Sequence, residues 1–562
     1  MAPAGESRHV ENTGIHIHAR TTIAVLQTQA VNVLMFANLF SVIGAGSLAQ
    51  STAESLGDAS VYIWFSSCIS IFPLALMPPL SQIADYWGRR WVMLITSLGG
   101  IAGPLLISRA QNVGTAIAGF CLLGVGMSNQ AQIYTIPSEV LHRKYRGWGQ
   151  ASANFSSGIG GLTGALMAGA LVEGKAENFR IYWYTATGLF AIAIVGIYFG
   201  YTPPPRETES ALSTRQKLWS LDWVGYFLLS PSVALISMAL QWSGNPYSWA
   251  NGYVLGPFIV GLIMLIMLAI YEWYKPDGIL HHSLFRHKNF PLAAVVIFLE
   301  GLTFYTCNAF YAYEITVVYG VSLFGAELRF IILFVGSAMT SVVLGAYTTK
   351  TKQVREPVAL GFILLVIFNA YMATIKLSSS VSHLWGITIL AGVGLGLILN
   401  AAMVVAQMAT PSDMISVTTG FVSAVRAFGG SIGIAINNAI LSSSLQTALP
   451  KDVAAAVVPL GFPSANLGLL IEALSEESEA ALAQVPGTTP AIIAAATKGF
   501  RAAYAHSFGN AWIAAACFAA TGVIISIFIT NPKAEFTVHI DAPVEQKLVE
   551  LQTEVGKDYE MD

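Results

Sequence analysis

Apolar residues gather in this chain into fourteen stretches of about twenty residues, parted by short polar segments. They lie near Ile23–Leu48, Val61–Ile83, Trp91–Ser108, Gly114–Ile136, Ala151–Leu171, Ile181–Tyr201, Val224–Trp242, Val254–Trp273, Pro291–Val318, Phe330–Thr348, Val358–Ile375, Leu384–Gln407, Val417–Leu441 and Ser507–Ile529. At ~1.5 Å of rise per residue, each spans a hydrocarbon core of ~30 Å as a helix. The pattern predicts an all-α protein that crosses a membrane fourteen times.

The stretches group as six, two and six. A polar segment from Thr202 to Asp222 closes the first six, and another from Lys275 to Asn289 follows the pair. The expected organisation is a tail over 1–22, a six-helix bundle over 23–201 and a loop over 202–223. Two linking helices follow over 224–273, then a loop over 274–290, a second bundle over 291–529 and a tail over 530–562. Ser442–His506 is the one long segment on the far side. Its amphipathic stretches, prolines and acidic Glu476–Glu479 run predict surface helices lying on the membrane. The charged tail after Asn531 is expected to be mobile.

The basic residues alternate in abundance between loops. Nineteen, among them Arg8, Arg89, Arg143, Arg215, Lys275, Lys350 and Lys533, fall on the side of the N-terminus, against seven on the other. The positive-inside rule therefore puts both termini in the cytoplasm, and a bias that survives the whole chain supports an even number of spans. The plasma membrane is the expected location, with the vacuolar membrane as the alternative.

Hydrophobic residues make up 54% and charged residues 10%, outside the usage of soluble proteins. A net charge of −3 and the lack of a basic run give no reason to expect nucleic acid. The polar start and the long first apolar run do not fit a cleaved signal peptide. Cys68, Cys121, Cys307 and Cys517 fall inside spans and read as small buried hydrophobes, so neither a disulfide framework nor a metal site is expected. No cofactor is expected either, and the chain is expected to act as a monomer.

The segment after the second stretch reads Ser81-Gln-Ile-Ala-Asp85-Tyr-Trp-Gly88-Arg89-Arg90. Gly88 permits a tight turn between two helices, and Asp85 can face a helix N-terminus or an arginine. This spacing resembles the signature loop of the major facilitator superfamily, with Ser81 in place of its first glycine and Tyr86 in place of a basic residue. The resemblance implies two six-helix bundles with this loop (Asp85, Gly88, Arg89, Arg90) as the latch of alternating access. Leu221-Asp-Trp-Val-Gly225 is similar to the start of the extra helix pair in fourteen-span drug:proton antiporters. Gln241-Trp-Ser-Gly244, Val254-Leu-Gly-Pro-Phe-Ile-Val-Gly261, Leu284-Phe-Arg-His-Lys-Asn-Phe290 and Tyr134-Thr-Ile-Pro-Ser-Glu-Val-Leu141 look like the fungal trichothecene efflux pump family. That likeness runs from the first span to the last. It implies proton-driven export of toxic small molecules, with siderophore transport, found in neighbouring fungal families, as the alternative.

Two features depart from the antiporter pattern. Gly160, Gly161, Gly164 and Gly169 match its fifth-span motif, but Ala165 stands for the proline and Ala168 for a glycine. The fourth-span arginine is also missing, with Phe120 and Leu123 ahead of Gly124. The same glycines, with Gly429 and Gly433 in the matching helix of the second half, also read as close packing or as traces of an internal repeat.

Charge inside the membrane is the better guide to coupling, because it costs roughly 2.5–3.5 kcal/mol per residue. Glu300 and Arg426 both fall near the midplane and are the candidates for proton coupling, or for a structural ion pair within one bundle. Glu314 is a third candidate, read as an exposed carboxylate near the far mouth. Uncharged polar residues within spans are candidates for the substrate cavity or for interhelical hydrogen bonds. These are Asn38, Asn129, Gln130, Gln132, Asn308, Asn400 and Gln407, with Tyr305 as an aromatic that could stack on a ligand.

Gly429-Gly-Ser431-Ile-Gly433 fits a nucleophile elbow only in letters, since it lies in an apolar helix rather than a strand-to-helix turn. The sequon at Asn154 opens a span on the cytoplasmic side. No pore-lining repeat suggests a channel, no clustered catalytic set suggests an enzyme, and no P-loop suggests nucleotide as the energy source. A secondary transporter moving a small molecule across a bilayer with protons remains.

Overall fold

The computed structural model describes residues 4–58, 62–172, 176–203, 212–243, 247–475, 482 and 484–541, and it is helical throughout. Among those residues, twelve helices are long and apolar enough to cross a membrane. The other two apolar stretches take different forms. Gly114–Ile136 is divided into α5 (Val113–Met127) and α6 (Gln130–Val140). Ala151–Leu171 lies in α7 (Arg146–Val172), where glycines and polar residues dilute the hydropathy.

The break between α5 and α6 has a local cause. A Cβ on Gly126 would lie 2.3 Å from the Gly100 nitrogen, so the neighbouring helix comes to backbone contact. Asn129 then donates to the hydroxyls of Thr96 and Ser97 at 3.3 and 3.0 Å. Backbone that leaves the helical pattern at membrane depth is tolerable where protein covers it and supplies partners.

The first bundle comprises α1 (Ala4–Ser47), α3 (Tyr62–Trp87), α4 (Arg89–Arg109), α5, α6, α7 and α8 (Phe179–Gly200), with the short α2 (Ala49–Ser55) after α1. After α9 (Thr214–Ser220) come the paired α10 (Trp223–Trp242) and α11 (Gly252–Tyr274). The second bundle comprises α12 (Asn289–Tyr319), α13 (Leu323–Thr351), α14 (Arg355–Ala373), α15 (His383–Met408), α16 (Ile415–Val457) and α18 (Pro490–Ile527). The bundles meet along two seams, α7 against α13 and α3 against α16.

Glycine on α7 sets how closely that helix fits between its neighbours. A Cβ on Gly160 would lie 2.4 Å from the Phe36 carbonyl, and one on Gly164 3.1 Å from the Phe40 carbonyl, both on α1. Gly161 and Gly169 face the other way, onto Phe334 and Phe324 of α13. The four motif glycines therefore pack one helix against both bundles, as small residues do in membranes.

The long far-side segment differs from the expected surface helices. The thirteenth stretch ends at Leu441, but α16 continues to Val457, and α18 starts at Pro490 rather than near Ser507. These extensions enclose α17 (Leu467–Ser475) in a separate apolar cluster of Val453, Val457, Leu470, Ile492, Ala496 and Phe500. The result is a helical cap. The acidic 476–479 run lies outside the described residues. The end of the chain differs too: through Asp541 the tail is docked on the bundles, and 542–562 lie outside the description. Of the four cysteines, all free, Cys307 is buried as expected, whereas Cys517 is exposed and Cys68 and Cys121 are half-buried.

Candidate functional site

Glu300 stands eleven residues into α12 and Arg426 eleven residues into α16, ~16 Å along each helix. The two helices touch at backbone level. A Cβ on Gly301 would lie 2.1 Å from the Arg426 carbonyl, and one on Gly429 2.2 Å from the Phe298 carbonyl. This approach lets the two side chains meet in a forked pair. Arg426 donates from Nε to Oε2 of Glu300 at 2.6 Å and from Nη2 to Oε1 at 2.9 Å. The Glu300 side chain is 1% exposed and that of Arg426 15%. The guanidinium also lies over the Phe304 ring, 4.7 Å from its centroid. A forked arginine–carboxylate pair is the form in which a buried ion pair is best compensated.

The pair faces the other bundle. Tyr134 of α6 and Tyr305 of α12 both lie within its electrostatic reach. Tyr134 donates to Asn154 at 3.0 Å, and Asn154 donates to Asn400 of the second bundle at 2.5 Å. Tyr305 packs against Gly430 and stands edge-on to Phe304, 5.2 Å between centroids. Asn308, two turns beyond Glu300, is half-buried.

The remaining polar candidates divide into two groups. Asn38 donates to Asn129 at 3.4 Å and Gln130 approaches the Met35 sulfur at 3.9 Å, so these three tie helices together within the first bundle. Gln132, Asn400 and Gln407 instead bridge the bundles. Gln132 reaches Ser81 and Ser416, each at 3.2 Å. Gln407 accepts from Ser138 at 2.6 Å and from Gln150 at 3.2 Å. Asn400 accepts from Asn154 while donating to Ser341 at 2.8 Å.

These bridges lie between the ion pair and the face that carries Arg89, Arg143 and Arg146, here called the basic face. On that face Arg89 donates to Asp85 at 2.8 Å and pairs with Glu139, with its side chain 5% exposed. These contacts join α3, α4 and α6 of one bundle. Gly88 has φ +85°, a conformation that suits glycine where α3 turns into α4. Arg90 points elsewhere, donating to the Tyr198 carbonyl of α8 at 2.5 Å. The neighbouring Ser81 makes the cross-bundle contact, where its carbonyl accepts from Ser416 at 3.0 Å. Gly420 leaves room for it; a Cβ there would lie 2.2 Å from the Ser81 hydroxyl.

Glu314 is not exposed. It is 1% accessible on α12 and accepts a 2.7 Å hydrogen bond from the Trp512 indole of α18, so it joins two helices of one bundle. An apolar surround and an indole donor account for its burial better than a position at the far mouth. Sequence reasoning passed over Glu327, which is buried on α13 and accepts from Ser47 of α1 at 2.9 Å across the bundles. It also passed over Glu139 and Arg146, whose charges sit at helix ends where charge is ordinary, and Asp541, which lies in the polar tail. A hollow of about 960 Å³ opens among residues 373–378, Lys498, His506 and Asn510 and shares no lining residue with the ion pair.

The family described as fungal trichothecene efflux pump matches residues 14–550. Among curated proteins, the chain is 22% identical over 534 residues to a trichothecene efflux pump of Fusarium sporotrichioides, covering 93% of this chain and 88% of that one. It is 24% identical over 409 residues to an efflux pump of Gibberella moniliformis, FUS6, covering 72% and 71%. Among solved structures, the human organic anion transporter MFSD10 superposes with a TM-score of 0.52 at 12% identity, over 89% of this chain and 99% of that one. A bacterial homolog of the lysosomal transporter Spinster does so at 0.50 and 15%, over 92% and 98%. At such identities the structural likeness speaks to the fold, which is that of major facilitator transporters. The match across nearly the whole chain assigns the family: this protein belongs to the fungal trichothecene efflux pumps.

Proposed function

We propose that the protein is a proton-coupled secondary transporter that exports toxic or secondary-metabolite small molecules. It works by alternating access across fourteen spans, with both termini in the cytoplasm of a plasma-membrane monomer. In this reading the split α5–α6 and the glycine-rich α7 are the two spans beyond the twelve long apolar helices. Arg329, just ahead of the tenth stretch, raises the far-side basic count by one, and the bias toward the basic face persists.

The carrying observation is the buried Glu300–Arg426 pair facing Tyr134 of the opposite bundle. A carboxylate held by a guanidinium keeps its charge; a carboxylate that rotates away from it, or meets a proton first, loses that partner. Protonation of Glu300 neutralises it and frees Arg426 to turn toward the interface, while re-forming the pair expels the proton. Coupling requires these two conditions to coincide with the two orientations. Tyr305, Asn308 and Phe304 stand where a small molecule between the bundles would touch the same group. The bridges on the basic face support reading this arrangement as the form closed to the cytoplasm.

The test is transport in proteoliposomes with an imposed pH gradient. Glu300→Gln is expected to abolish accumulation of a radiolabelled trichothecene against its gradient while exchange persists. Wild-type uphill transport by this variant rejects the coupling role and leaves Glu314 as the next carboxylate to test.

A further inference from the structure

The segment after the last helix belongs to no motif and plays no part in the mechanism above, yet it spans the two bundles. It starts in the second bundle, where Asn289 donates to the Thr530 carbonyl at 2.7 Å and Asn531 accepts from the Val354 amide at 2.8 Å. It then crosses the basic face to the turn between α6 and α7. There the amides of Arg143 and Lys144 donate to the carbonyls of His539 and Thr537, each at 2.9 Å. Phe536, between these anchors, is 5% exposed and packs into the main apolar core.

Side chains tighten the crossing. Arg143 holds Asp541 through Nε and Nη2, the latter at 2.7 Å, and reaches Glu535 through Nη1 at 2.7 Å. Burial works against the Arg143 charge, but the Asp541 and Glu535 carboxylates outweigh it and hold the guanidinium above its ordinary value. Arg146 bonds the second oxygen of Asp541, and both of those side chains are fully buried. Arg146 also donates to the Gln407 carbonyl of α15 at 3.0 Å and to the Ser138 carbonyl of α6 at 3.2 Å. One guanidinium thus joins the first bundle, the second bundle and the segment. Asp541 lies between two cations that would otherwise repel each other at close range.

We propose that residues 535–541 form a strap across the cytoplasmic mouth, with Asp541 as its clasp, and that opening toward the cytoplasm requires the clasp to release Arg143 and Arg146. The proposal rests on the transporter reading above. Asp541 is a positioning residue: it touches no substrate and acts through the arginines at the seam. Its contribution is a difference between two states, so its loss shifts their populations.

The test is accessibility in the full chain, in inside-out membrane vesicles, with Cys68, Cys121, Cys307 and Cys517 replaced by serine. A single cysteine is placed at Ser423, buried on α16 one turn beyond Gly420. Asp541→Asn is expected to speed its labelling by a membrane-impermeant thiosulfonate about tenfold, the response to one strong ion pair lost from one of two states. An unchanged rate overturns the proposal. Should Asp541→Asn fail to reach the membrane, the paired variant Lys144→Cys with Thr537→Cys keeps the test open. Oxidation is expected to cross-link it, stop trichothecene transport and protect the Ser423→Cys site, with dithiothreitol reversing all three. No cross-link, or a cross-linked protein that still transports, overturns the strap. Labelling that responds as expected in a protein that moves no trichothecene instead defeats the transport reading and leaves the strap standing.

Discussion

Arg426 and Glu300 share two hydrogen bonds, so substitution at either leaves a charge inside the protein without its partner. The two substitutions are nonetheless unequal. Glu300→Gln still offers Arg426 an amide oxygen, whereas Arg426→Ala strands a carboxylate that is 1% exposed. Arg426→Ala is therefore expected to lower stability by ~3 kcal/mol and Glu300→Gln by less, read as melting temperature in detergent. Equal and small losses would show that water already reaches the pair. These two residues were legible in the sequence because charge inside an apolar run is rare and costly. That they grip each other was not, because 126 residues separate them and only the glycine contacts between α12 and α16 bring them together. The reading of Glu314 erred for a related reason: position along a helix gives depth, but not whether the side chain faces lipid, water or a neighbour such as Trp512. Arg146 carried no signal, since a basic residue at the end of a span is what positive-inside loops ordinarily show, and Asp541 carried none because it lies in a polar tail beyond the last span.

Where α3 meets α16, a hydroxyl on one helix fills the space a missing side chain leaves on the other. Gly420→Ala would force its new methyl against the Ser81 hydroxyl, and overpacking of this kind costs about 1–3 kcal/mol. Ser81→Gly in the same chain is expected to restore both stability and basic-face closure, read by melting temperature and by Ser423→Cys labelling. A double variant no better than Gly420→Ala alone would remove this contact from the gate. Ser81, one of the two residues that depart from the superfamily's signature, thus reaches the opposite bundle.

The α10–α11 pair is fastened at its basic end by Asp222, which accepts from Tyr271 at 2.6 Å, Lys275 at 2.9 Å and the Gly225 and Ile279 amides. Burial alone would raise the Asp222 pKa; these bonds and the Lys275 charge outweigh it and hold the carboxyl below its ordinary value. A depressed carboxyl stabilises above its unfolded pKa and ceases to do so as pH falls through the folded one. The melting-temperature gap between wild type and Asp222→Asn should therefore be full at neutral pH and shrink below about pH 4. A gap that stays constant with pH would mean shape, rather than charge, fastens the pair.

Element boundaries were legible where apolar runs end in polar residues and failed where helix outlasts membrane. Past Leu441 the chain turns polar, but Ala448, Ala454, Ala455 and Ala456 keep helical propensity high, so α16 runs on into the cap.

At the scale of the molecule, the orientation is open to a direct check. A cysteine at Ser475, exposed on the cap, should react with an impermeant reagent on intact cells, whereas one at Ser213 should react only after permeabilisation. The reverse pattern would invert every assignment of face made above, including that of the strap. The two-bundle plan could be read from hydropathy alone, because spans and charge bias are properties of long segments. The polar bridges that close the basic face could not, because each joins single residues from opposite halves.

The placement of α10 has a wider consequence. It packs on α3 of one bundle and on α16 of the other, covering one of the two lines along which they meet, and α11 leans on its outer side. The other line, α7 against α13, has no such cover among the described residues. Surrounding lipid therefore meets the joint between the halves unequally. On one flank acyl chains touch the working joint itself; on the other they touch two helices that need not follow either half. A greasy molecule dissolved in the bilayer thus faces a covered flank and a bare one.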